Sequence, residues 1–179
     1  TLIVQDKNKK VVGSVTMIFD GNDSIPARAI YQNEIISLKS RNEKIVEISR
    51  LVIDHDHRNA KEILEILFNY LYIYTSSVKK YSCLTIEVNP RHKEFYRTLL
   101  GFEVIGSEKP CPNVQDAPAI LLYRSLTLER SKNGHTNSTT IEKRIRTMIP
   151  YNIKPEQERL VAVYLEKQHK PMTESEKLY

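Results

Sequence analysis

Between Asn59 and Tyr74, apolar side chains return at Ile63, Ile66, Leu67, Tyr70, Leu71 and Tyr74. This is the i, i+3, i+4, i+7 recurrence of one helix face. Asn59 followed three residues later by Glu62 matches a capping box and predicts the helix start. Such a stripe must be buried against another element. The flanking runs say which kind. "KIVEISRLVID" before it and "YSCLTIEVN" after it are short and rich in β-branched residues, and both read as strands. The chain therefore has to build a sheet covered by helices.

The rest of the chain extends that pattern. "TLIVQDKNKKVVGSVTMIF" places two apolar runs around the polar turn Asp6–Lys10, a β-hairpin, with Gly13 marking a bulge or a close backbone approach. Residues 20–30 read as loop. "YQNEIISLKSRNEK" carries Ile35, Ile36 and Leu38 on a short helix. After the fourth strand, Asn89 can cap a helix, Pro90 suits its first turn, and Gly101 can end it. "FEVIGSE" and "PAILLYRSLTL" are the fifth and sixth strands, with a loop at 110–118 between them. From residue 128 the character changes to a polar linker, a segment with Ile141, Ile145, Met148 and Ile149 at helical spacing, and an amphipathic helix after Pro155. Helices set among strands in this order predict an α+β (α/β three-layer) fold around one central, mostly antiparallel sheet.

The 179 residues are 40% hydrophobic, enough for one sizeable core. A net charge of +5 favours an acidic partner without choosing among phosphate, nucleic acid and acidic protein. No aromatic-basic motif supports nucleic acid. The two cysteines, Cys83 and Cys111, lie too far apart for a CxxC pair, and no His/Cys spacing points to a metal. No apolar run reaches the ~20 residues that cross a bilayer, and no signal peptide is visible. A reducing, cytoplasmic setting is the expectation. The chain opens at Thr1 inside a strand-like run, so an upstream segment is expected.

Three segments place polar residues where structure alone asks for fewer. In "EISR", alternation puts Glu47 and Ser49 on one strand face and Ile48 and Arg50 on the other. Polar groups in an apolar strand need partners. A Glu47–Arg50 ion pair at a strand edge is the plain reading, and a reactive carboxylate is the functional one. At the start of the long helix, His57, Arg58, Asn59 and Ala60 present free N–H groups and positive charge, which suit a phosphate. The segment also has the ordinary polarity of a helix start. In "NPRHKEFY", capping explains Asn89 and Pro90 but not His92 and Tyr96, four apart on one helix face. A tyrosine there can protonate a leaving group, and a histidine can bind or accept a proton.

Together, "EISRLVID" (47–54), "HRNAKEILEILFNYLYIY" (57–74), "VNPRHKEFYRTLLGFEVIG" (88–106) and "PCPNVQDAPAILLYRSL" (110–126) resemble the GCN5-related N-acetyltransferase (GNAT) superfamily. More narrowly they resemble its N-acyl amino acid synthase branch, with a more distant likeness to acyl-homoserine-lactone autoinducer synthases. The resemblance covers residues 1–127 as an acyltransferase core and leaves 128–179 as linker and helices of unassigned role. It implies splayed third and fourth strands, with the pantetheine arm of an acyl donor pairing along Leu51, Val52 and Ile53 and bonded by Asn89. His57, Arg58, Asn59 and Ala60 would hold the phosphate. Glu47 would be the base or amine-orienting group, Tyr96 the acid for the departing thiolate, and Ser49 and Arg50 acceptor-side residues, while His92 stands open between acceptor binding and structural support.

The implied activity is transfer of a long-chain acyl group from acyl carrier protein or acyl-CoA, as co-substrate rather than bound cofactor, to an amino acid-like amine. Acetyl transfer and a catalytically silent binding module are the alternatives. The phosphate turn lacks the two glycines usual in GNAT enzymes, which favours a carrier protein with its single phosphate over coenzyme A. No metal is implied.

Overall fold

In a computed structural model the described residues are 1–21, 25–57, 61–126 and 155–168. Strands β1 (Leu2–Gln5) and β2 (Val11–Phe19) form the expected hairpin. Helix α1 (Gln32–Ser40) follows, then β3 (Ile45–Ile53), α2 (Lys61–Tyr72), β4 (Cys83–Val88), α3 (Lys93–Leu100), β5 (Glu103–Val104), β6 (Lys109–Cys111), β7 (Ala117–Ser125) and α4 (Pro155–Gln168). The sheet runs β1-β2-β3-β4-β7-β5, with β6 also on β7, and every pairing is antiparallel except β3 with β4. A parallel neighbour requires a crossover, which α2 supplies.

Two apolar clusters make the fold three-layered. Val46, Ile48, Leu84, Ile86 and Leu122 pack with α2, α3 and part of α4 on one face. Ile45, Cys83 and Leu121 pack under α1 with Tyr31, Ile35 and Leu38 on the other. Gly13 permits the contact between β2 and α2: a Cβ there would meet Ile63 Cγ2 at 2.7 Å. It also adjoins a register shift in the β1–β2 hairpin.

Several expectations need correction. The 110–118 loop contains β6 and a 3-10 turn, Pro112–Val114, so the sheet has a seventh strand. Pro110 pairs with Pro118 in that ribbon, a proline-bearing edge that composition marks as loop. Residues 20–30 contain a 3-10 turn, Pro26–Ala29. On α2, Ile66 is exposed and Phe68 is buried, which turns the buried face from the expected stripe. The helix then widens into a π-helical stretch, Ile73–Val78, in which the Thr75 and Ser76 hydroxyls donate to carbonyls of the preceding turn. The linker, the 139–149 helix and residues Arg58, Asn59 and Ala60 lie outside the described residues.

Candidate active site

β3 pairs with β4 only over Ile45–Ile48, matched to Cys83–Ile86. Beyond that point β3 continues to Ile53 on β2 alone, and β4 continues to Val88 on β7 alone. The two strands diverge, as the family resemblance implied, and each turns an unpaired edge toward the gap. The cause is local. From Thr16↔Ser49 to Ser14↔Val52, β3 spends one residue more than β2, a β-bulge. Arg50 sits there at φ 50°, in the left-handed region. Strict alternation therefore stops at Ser49, and Arg50 projects to solvent instead of lying with Ile48. Leu51, Val52 and Ile53 line the open stretch, with Val52 exposed.

Glu47 is the last acidic residue before the divergence. It is buried, and the backbone N–H of Ala27 donates to its Oε2 at 2.8 Å. Burial pushes its carboxyl up to about 7 against the opposing effect of that hydrogen bond, and the nearby charge of Glu87 pushes the same way. No Glu47–Arg50 ion pair forms. A carboxylate titrating near neutrality can exist as base and as acid at working pH, as a proton-transfer group requires. Ser49, two residues on, shares its face at the apex of the gap.

Tyr96 lies across the sheet from Glu47, in the α2/α3 cluster, edge-on to Phe95 and Phe102. Burial pushes its hydroxyl up to about 12, so it stays protonated and can donate. His92 does not share this environment. It is exposed at the start of α3, where Arg91 Nε donates to its Nε2 at 3.0 Å. Asn89 caps the 3-10 turn Pro90–His92 by accepting from Arg91 N at 3.1 Å. Gly101, at φ 65°, ends α3, and the buried Arg124 guanidinium donates to the Leu100 carbonyl there. These two ends fix the short helix that carries Tyr96.

His57 ends the 3-10 turn after β3, with Nδ1 3.9 Å from Asp54 Oδ2. Among the described residues no cluster of three or more His, Cys, Asp or Glu could hold a metal ion, and no helix is long and apolar enough to cross a membrane.

Sequence reasoning missed Ala27, Glu87 and Thr85. Ala27 acts through its backbone, which no residue type reveals. Thr85 and Glu87 alternate with the apolar Leu84, Ile86 and Val88 in "CLTIEV", and that alternation was the available signal.

The model of the family described as N-acyl amino acid synthase FeeM matches residues 1–125. The solved structure of FeeM, an N-acyl amino acid synthase from uncultured soil microbes, is 27% identical, with a TM-score of 0.58 over 69% of this chain and 65% of that one. A spermidine/spermine N-acetyltransferase, SpeG from Vibrio cholerae, is 16% identical, with a TM-score of 0.50 over 73% of this chain and 66% of that one, a likeness of fold alone. The chain thus spans just under two thirds of each solved relative's length. No curated protein matches it in sequence.

Proposed function

The chain belongs to the N-acyl amino acid synthase FeeM family, and we propose that it transfers an acyl group from a thioester to the amine of an amino acid-like acceptor. The observation that carries this reading is the break in β3–β4 pairing directly after Glu47's neighbour Ile48. A gap with unpaired strand edges can take an extended, amide-bearing arm as an added strand. Pantetheine is such an arm, with Leu51, Val52 and Ile53 on one side and Asn89 at the end of β4 on the other.

In this reading the thioester carbonyl lies at the apex, polarised by a backbone N–H of the bulged strand. Glu47, fixed through one oxygen by Ala27, takes a proton from the amine with the other. The amine attacks the carbonyl carbon, the adduct collapses, and Tyr96 protonates the departing thiolate. His57, Arg58, Asn59 and Ala60 bind the donor's phosphate, while Ser49, Arg50 and His92 serve the acceptor. The basic balance of the chain suits an acyl carrier protein as donor.

The reading is tested by incubating the full chain with acyl carrier protein or CoA carrying a long acyl group and a panel of amino acids, then measuring N-acyl product. Faster turnover with acetyl-CoA than with long-chain donors would assign it to acetyl transfer. Thioester consumption without amide would refute N-acylation.

A further inference from the structure

A second carboxylate stands beside Glu47 and has no part in the reaction as described above. Glu87 is the first residue of β4 past its last pair with β3. It shares a face with Glu47: Glu47 pairs with Thr85, and Thr85 and Glu87 are alternate residues of one strand. Its partner on β7, Leu121, belongs to the cluster under α1. Burial and Glu87's charge both disfavour ionisation of Glu47, and burial raises the Glu87 carboxyl as well, against its hydrogen bond from Cys111.

Among the described residues the surroundings hold several acids, and the lysine set among them is already engaged. Glu87 meets Cys111 of β6, whose Sγ lies 3.8 Å from Oε2. Tyr31, ahead of α1, feels Glu87, Glu34, Cys111 and Glu108. Its own hydroxyl is committed to the Ala119 and Ser107 carbonyls. Lys109 of β6 is engaged by Glu34 at 3.4 Å, the Ile30 carbonyl at 3.1 Å and the Tyr31 ring. Among the described residues no ion pair forms at Glu47 or Glu87.

Thr85 points independently to a polar ligand on this face. It is fully buried on this same face, and its Oγ1 has no hydrogen-bond partner. Buried hydroxyls are normally satisfied. Two carboxylates and an unsatisfied hydroxyl at the apex of the strand gap ask for a compact cation with several N–H donors.

We propose that Glu47 and Glu87 together bind the acceptor as its ammonium ion, with the Thr85 hydroxyl as third contact, and that each carboxylate receives one of the two protons the nitrogen must lose. This rests on the acyl-transfer reading for its chemistry and extends it to a residue that reading leaves idle. One proton passes from nitrogen to Glu47, and the freed lone pair forms the C–N bond as the carbonyl pair moves onto oxygen. The second proton passes to Glu87 as the carbonyl re-forms and the C–S bond breaks, its pair leaving on sulfur. The thiolate takes a proton from Tyr96, which solvent restores. Both carboxyls then return their protons to solvent, and one proton is released overall.

The test uses the full chain with glutamate labelled at its carboxyl carbon, and phenylalaninamide as cationic probe against its neutral deaminated analogue, 3-phenylpropanamide. Calorimetry should give at least tenfold tighter binding of the cation. Glu87→Gln should erase most of that preference and lower the pH at which Glu47 titrates by NMR. Glu87→Asp should keep the preference, and the surface control Glu103→Gln should leave it unchanged. Equal binding of the two probes by the unsubstituted chain would overturn the proposal. So would an unmoved Glu47 titration with unchanged probe preference in Glu87→Gln. These readouts need no turnover, so failure to make amide with the probe preference intact would sink acyl transfer and leave the carboxylate pair standing.

Discussion

The backbone N–H of Ala27 donates a 2.8 Å hydrogen bond to Glu47 Oε2, joining the 3-10 turn Pro26–Ala29 to the first half of β3. One carboxylate oxygen is thereby fixed inside the protein, while burial holds the group's ionisation near neutral pH. The bond orients the carboxyl group without neutralising it.

Glu47→Gln should therefore lower kcat by about 10²–10⁴, the usual worth of a positioned base. It should also remove the acid limb of kcat/KM near pH 7. The same substitution tests the ionisation through stability. Folded Glu47 holds its proton up to about pH 7, whereas a free glutamate side chain loses it near 4.5. Between those pH values the folded state binds the extra proton, so stability falls as pH rises through the window. The loss is about 3 kcal/mol from this group. Urea unfolding at pH 5 and pH 8 should show that drop in the parent chain and a smaller one in Glu47→Gln.

Tyr96→Phe removes one hydroxyl from an apolar, edge-packed cluster and should fold. If the hydroxyl protonates the thiolate, turnover should fall by roughly 10²-fold with an alkyl thioester. The penalty should shrink with an aryl thioester, whose thiolate leaves without a proton. A penalty independent of the leaving group would remove Tyr96 from that role.

The open edge of β3 makes a prediction for hydrogen exchange. In the free chain, amides in Leu51–Ile53 that point into the gap should exchange faster than those of Val46–Ile48, which lie between two strands. An acyl-pantetheine donor should slow them selectively. Uniform protection, with or without donor, would mean that the arm does not lie there.

Gly13→Ala would push a methyl to 2.7 Å from Ile63 Cγ2 and 3.3 Å from Leu67 Cδ1. Overpacking of this kind costs about 1–3 kcal/mol. Ile63→Ala added to it should cost less than the sum of the two single changes in denaturant unfolding. Additivity would show that the helix does not approach the strand as closely as described.

Much of this architecture was legible because it rests on periodicity. The α2 helix, though with a rotated buried face, the β-branched runs around it, and the Asn89 and Gly101 ends of the short helical segment are local signals that reappear in the fold. Family motifs brought Glu47 and Tyr96 together, although they occupy opposite faces of the sheet and no spacing rule connects them. What escaped was non-local or carried by backbone. The Arg50 bulge appears only as a register shift against β2. Ala27 contributes an N–H that any residue but proline could offer. β6 is a three-residue ribbon held by β7, with a proline that argues against a strand. Glu87 was visible as a polar residue in an apolar strand, but its meaning depends on Glu47 across the strand pair.

The most direct test of acyl transfer is mass spectrometry of the products formed by the full chain from a long-chain acyl thioester and mixed amino acids, beside Glu47→Gln. An N-acyl amino acid should form, and the substituted chain should make it at least a hundredfold more slowly. An intact thioester, or free fatty acid with no amide from any acceptor, would contradict it.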